Sequence, residues 1–144
     1  ADKAVTMKGM VDTGNFLKDP LTGNPVIIIS AVAAKKILPV EIVDEVIKGT
    51  DVRVITQKLV SSIYAARIRV IPFHSIGKER GCLIGIRPDK IHIKSHNKKS
   101  EDFIVASKGT ILAIYKGKFS GGQSDNDCSI LLHPSLLEGG IADV

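Results

Sequence analysis

The sequence predicts a mainly β protein with one or two short helices, forming a single domain over residues 1–144. Three observations lead there. The chain has 144 residues, 44% of them hydrophobic, which is one domain's worth and enough for a core without disulfides or metal, since domains most often run about 100–150 residues. Its apolar residues fall in short runs that either alternate with polar residues or are rich in β-branched side chains, both signatures of strands. In the first half of the chain strong helical periodicity occurs in one place, residues 40–48.

Taken in order, residues 5–11 roughly alternate and predict a half-buried strand running into Asp12-Thr13-Gly14-Asn15. Turn formers fill residues 19–25, and Val26-Ile27-Ile28-Ile29 then reads as a strand covered on both faces. Ser30 is placed to cap a short helix over residues 31–38. Pro39 suits the first position of a second helix, with Val40, Val43 and Ile47 on one face and Gly49 as its stop. Further strands are predicted at residues 52–55, 66–71, 82–86, 91–94, 103–105, 110–115 and 129–132. In residues 66–71 the arginines share one face, read as solvated. Gly77 and Gly81 bracket Lys78, Glu79 and Arg80, the pattern of a hairpin tip. A short helical turn is expected after His133-Pro134, and no repeat or interdomain linker is visible.

Composition narrows the function. The formal charge of +5 favours anionic partners modestly. Four Phe, two Tyr and no Trp argue against a base-stacking surface for single-stranded nucleic acid. Cys82 and Cys128 are too few for a disulfide framework and read as buried or idle thiols; His74, His92 and His96 lack metal-ligand spacing, so no metal or other cofactor is expected. No apolar run approaches the roughly 20 residues that span a bilayer, so the chain as it stands is expected to be soluble.

The chemistry lies in Val11-Asp12-Thr13-Gly14. An apolar strand ending in Asp-Thr-Gly presents a carboxylate, a hydroxyl for the neighbouring backbone and a glycine that lets another backbone approach. An aspartic peptidase needs these parts, and an Asx-type turn between strands uses the same three residue types. The residues alone leave both open.

A longer pattern carries a resemblance. Asp12-Thr13-Gly14-Asn15-Phe16-Leu17-Lys18-Asp19-Pro20-Leu21-Thr22-Gly23-Asn24-Pro25-Val26, then Ile71-Pro72-Phe73-His74-Ser75-Ile76-Gly77, then Leu131-Leu132-His133-Pro134-Ser135-Leu136-Leu137 together resemble the sporulation sigma-E factor-processing peptidases of endospore-forming bacteria. The resemblance implies a retropepsin-like closed β-barrel, and a multi-spanning membrane domain preceding a cytoplasmic domain of this size, absent from this chain. It implies a homodimer in which Asp12 of each copy supplies one catalytic carboxylate, because no other aspartate here has the strand-Thr-Gly context. Thr13, Gly14 and Asn15 would support the loop. Gly77, Lys78, Glu79, Arg80 and Gly81 would form a flap, and Leu131, Leu132 and His133 a packing segment with His133 where retroviral peptidases carry glycine.

It further implies the sigma-E precursor as substrate, a forespore-derived signalling protein as activator acting through the membrane domain, and a site at the cytoplasmic face of the mother-cell membrane at the septum. Nucleic acid is not an expected partner. Two rival readings stand beside it: a non-catalytic peptide-binding module on the same barrel, and a basic β-domain that binds nucleic acid.

Overall fold

Two strands that are apolar on both faces make the middle of the sheet. In the computed structural model, which describes residues 5–12, 14–73, 81–94, 103–105, 109–117 and 130–135, β2 (Val26–Ser30) and β7 (Ile111–Tyr115) pair in parallel. Alternation sends Ile27, Ile29, Leu112 and Ile114 to one face and Val26, Ile111 and Ala113 to the other, and both faces are covered. Around them run β1 (Gly9–Val11), β8 (Ile130–Leu132), β4 (Gly81–Ile86) and β3 (Ile68–Phe73), in the order β1-β8-β2-β7-β4-β3. β5 (His92–Lys94) and β6 (Phe103–Val105) form a separate antiparallel pair.

Three helices cover the face bearing Ile27 and Ile114. Ser30 caps α1 (Ala31–Ala34) by accepting the Ala33 N–H at 3.2 Å, as its position predicts. The predicted second helix is α2 (Val40–Lys48), ended by Gly49 in the left-handed conformation (φ 81°) with its N–H turned back to Glu45 and Val46. Its buried side is Ile42 and Val43 with Val46 partly buried, while Val40 and Ile47 are exposed. The face predicted from spacing is therefore rotated, because α1, α3 and β7 all contact α2 from the Ile42 side.

Residues 52–55, expected as a strand, open helix α3 (Val52–Leu59). The Asp51 carboxylate accepts the Arg53 N–H at 2.8 Å, capping the helix, and Val52, Ile55 and Leu59 share the buried side. Strand propensity spans only about 1 kcal/mol and yields to a cap plus burial of Ile55.

Closure of the barrel is the larger correction, while strands remain the majority element. Among the described residues the architecture is mixed α/β and the six-stranded sheet is open, with β1 and β3 at opposite ends. Helices seal one face, and Leu17 packs on the Val26–Ile71–Ile111 cluster of the other, so closure is not required to hide either face. The arginine face is also corrected: Arg69 lies mostly buried against Asp19, and Arg67 sits in a 3₁₀ turn (Ala65–Arg67) paired with Asp89 at 2.6 Å. Cys82 is a free, exposed thiol rather than a buried one; Cys128 lies outside the described residues.

Two predictions follow from this packing. At Gly85 in β4 a Cβ would stand 2.6 Å from Ile111 Cγ2 and 3.2 Å from Ile71 Cγ1, so Gly85→Ala is expected to cost about 1–3 kcal/mol in urea unfolding. Glu45 receives the Thr50 hydroxyl at 2.6 Å and the Lys58 ammonium at 3.2 Å, and these, the hydroxyl first, hold its carboxyl below the ordinary value of 4.5. Its contribution is complete above that ordinary value and is lost as pH falls through the lower folded one. Thermal melts between about pH 3 and 6 should show Glu45→Gln flattening the acid side of the stability curve.

Candidate active site

Parallel pairing of β1 with β8, Val11 opposite Leu132, sets Asp12 beside the end of β8. The ladder runs one bond further, from the Asp12 N–H to the Leu132 carbonyl at 3.1 Å. Beyond it the chain turns sharply. The Asp12 carbonyl accepts the Asn15 N–H at 2.9 Å, and the Asp12 Oδ1 accepts the Gly14 N–H at 2.9 Å. A Cβ at Gly14 would lie 3.3 Å from that same oxygen, so glycine keeps the carboxylate uncrowded. The result is a half-buried carboxylate held at both its backbone and its side chain, beside the exposed Gly14.

Asn15 anchors the loop from below. It is 3% exposed, and its side chain donates to the Val26 carbonyl at 2.9 Å and accepts the Leu17 N–H at 3.1 Å. A buried amide with both ends engaged is a fixed point, since leaving either group unpaired costs about 1–3 kcal/mol. From there residues 17–26 form a small antiparallel excursion: Val26 N–H to Leu17 carbonyl at 3.1 Å, a bridge between Lys18 and Pro25, and Asp19 N–H to Asn24 carbonyl at 2.8 Å.

Asp19 closes the tip of that excursion and ties it to the sheet. Its carboxylate is 1% exposed and accepts the Leu21 N–H at 3.0 Å, the Thr22 hydroxyl at 3.0 Å and the Arg69 Nε–H at 3.2 Å. Arg69 in turn donates through Nη1 to the carbonyls of Ala66 at 3.1 Å and Ile68 at 3.0 Å. The Asx turn within Asp19-Pro20-Leu21-Thr22-Gly23 is a local signal in the sequence. Its partner, fifty residues later, is not.

His133 follows Leu132 and is buried. Its Nδ1 accepts the Ser135 N–H at 3.1 Å, with the Ser135 hydroxyl at 2.8 Å. An accepting Nδ1 assigns the ring proton of the neutral imidazole to Nε2. The ring thus stands as the cap of the turn that Pro134 begins.

The structure brings Asp12, Gly14, Asn15, Leu131, Leu132 and His133 together around the ends of β1 and β8. Gly81 opens β4 opposite Phe73, toward the other end of the sheet from β1. Thr13 and the expected flap residues Gly77, Lys78, Glu79 and Arg80 lie outside the described residues. Asp19 and Arg69, which lock the excursion after the loop, were missed by sequence reasoning.

Comparison with known proteins gives the setting. Residues 1–136 match the family described as Sporulation factor SpoIIGA. The chain is 28% identical over 138 residues to the sporulation sigma-E factor-processing peptidase of Priestia megaterium, covering 94% of this chain and 41% of that protein. It is 30% identical over 136 residues to the sporulation sigma-E factor-processing peptidase of Bacillus subtilis, covering 92% and 40%. A relative from Bacillus thuringiensis subsp. kurstaki is 28% identical over 137 residues, covering 95% and 79%. The chain therefore spans about two fifths of the length of the first two relatives. No solved structure matches it.

Removing one partner of a buried, hydrogen-bonded pair strands the other charge. Arg69→Met is accordingly expected to lower stability by about 3–5 kcal/mol in urea unfolding, against about 1 kcal/mol for Thr22→Val, which removes one hydroxyl donor and leaves the ion pair.

Proposed function

Because the chain belongs to the family described as Sporulation factor SpoIIGA, we propose that it is the peptidase portion of an aspartic endopeptidase that removes the N-terminal pro-segment of the sigma-E precursor. The observation that carries this reading is Asp12 at a strand end, its backbone N–H donating to the Leu132 carbonyl and its carboxylate accepting the Gly14 N–H.

One such carboxylate is half a site. Asp12 of a second copy completes it, the two loops meeting across a two-fold axis with Gly14 permitting the approach. Two carboxyls at hydrogen-bonding distance cannot both be ionised, so they share one proton. The ionised member takes a proton from water as the water oxygen attacks the peptide carbonyl. The protonated member hydrogen-bonds the developing oxyanion, and the leaving nitrogen is protonated as the C–N bond breaks. Thr13 joins the two loops, Asn15 and the Leu131–His133 segment hold each loop in place, and the segment including Gly77 and Gly81 closes over substrate. No cofactor enters.

The same reading places the peptidase portion at the cytoplasmic face of the mother-cell membrane, anchored by a further domain and activated by a forespore protein that promotes pairing. The charge of +5 suits an anionic leaflet. Among the described residues no helix is long and apolar enough to cross a membrane.

Asp12→Asn keeps the shape and removes the acid. Coexpressed with the precursor, it is expected to reduce cleavage by at least about a thousandfold with an unchanged thermal melt; cleavage at the parental rate would refute the aspartic reading, and a parental chain that binds the precursor without cleaving it would favour a peptide-binding module. The chain alone should sediment mainly as a monomer with weak activity, and a tight, fully active dimer would count against activation by pairing.

A further inference from the structure

Around Asp12 the usual distribution of polarity is inverted. Asn15 and Asp19 are buried, whereas Met10, Phe16 and Leu21 are 50%, 75% and 75% exposed. Buried polar groups and displayed large apolar ones are the informative cases, and here both occur in one stretch. The cause is local. Asn15 and Asp19 turn inward because their side chains are engaged by Val26, Leu17, Leu21, Thr22 and Arg69. In an extended segment successive side chains point to opposite sides, so Phe16 and Lys18 are turned outward. Before Asp12 the exposed Lys8 and Met10 repeat the spacing. The order along the chain is cation, apolar, catalytic loop, apolar, cation. Among the described residues neither lysine forms an ion pair.

We infer that Lys8, Met10, Phe16 and Lys18 form the substrate face, and that it takes an extended peptide with apolar side chains next to the scissile bond and carboxylates farther out. The inference rests on the peptidase reading and names its substrate class. Charge decides the occupant. A two-fold copy docked on this face would present the same lysines to it and leave like charges opposed. A peptide bearing Asp or Glu at its outer positions meets both lysines with opposite charge, and the chain's +5 steers it in. In the paired enzyme each copy supplies one such half, so the cleft is apolar about the two carboxyls and cationic toward its ends.

Binding by the Asp12→Asn chain, which removes cleavage from the readout, tests this. The probes are fluorescent synthetic peptides with a Leu- and Phe-rich centre and either Glu or Gln at both ends. The Glu-ended peptide is expected to bind at least about tenfold more tightly at low salt, and the advantage should vanish at high salt and in Lys8→Glu/Lys18→Glu. Met10→Ser/Phe16→Ser should weaken both peptides alike. Equal binding of the two peptides, or an advantage that survives charge reversal, overturns the inference. So does a charge reversal that alters only the dimer fraction in sedimentation, which would give the face to a second copy. Loss of binding only to vesicles of about 30% anionic lipid would give it to a membrane and overturn the inference equally. Cleavage of the precursor by Asp12→Asn would instead sink the aspartic reading and leave the binding result standing.

Discussion

The hydrogen bond from the Asp12 N–H to the Leu132 carbonyl ties together residues from opposite ends of the chain, and the site exists because of it. A parallel pair cannot be closed by a tight turn. β1 reaches β8 only because β8 is itself held antiparallel to β2, and β2 is locked into the doubly covered middle of the sheet. The Asp12 loop is thus at the edge of the sheet but referenced to its centre. Asn15 supplies a second reference to the same strand, through the Val26 carbonyl.

The segment that follows shows how a protein can display apolar side chains without losing its fold there. Its burial comes from polar groups with every partner supplied: an amide bridging two backbone groups, and a carboxylate shared among a backbone N–H, a hydroxyl and a guanidinium. Fully satisfied, such groups specify one geometry more narrowly than apolar contacts do, because hydrogen bonds have direction. The apolar residues Phe16 and Leu21 are then released from core duty.

Several elements were legible in the sequence for reasons that are local. The Ser30 cap, the Gly49 stop and the β-branched run of β2 each act within a few residues, and the structure shows all three. The Asp12–Gly14 turn was legible as a local device too, and the longer pattern around it carried the family resemblance that the comparison with known proteins bears out. The misreadings share a cause. Val52, Val54 and Ile55 favour a strand by propensity, and Arg69 looks like a solvent-facing member of an alternating strand. In both cases a partner elsewhere in the chain helped reverse the local preference: the buried cluster with Ile42 and Val43 that Ile55 joins, beside the Asp51 cap, and the carboxylate of Asp19.

By itself, then, the sequence determined what depends on neighbouring residues: the single Asp-Thr-Gly loop in a chain of one domain's size, α1 with its Ser30 cap and α2 with its Gly49 stop, and the strands rich in Val and Ile. Tertiary structure alone decided that, among the described residues, the sheet stays open under three helices, that Asp19 is a buried strut rather than a loop carboxylate, and that the ends of β1 and β8 meet. The physical reason is separation along the chain. Contacts such as Asp12 with Leu132 or Asp19 with Arg69 are chosen by the shape and charge of the folded core, and no local periodicity records them.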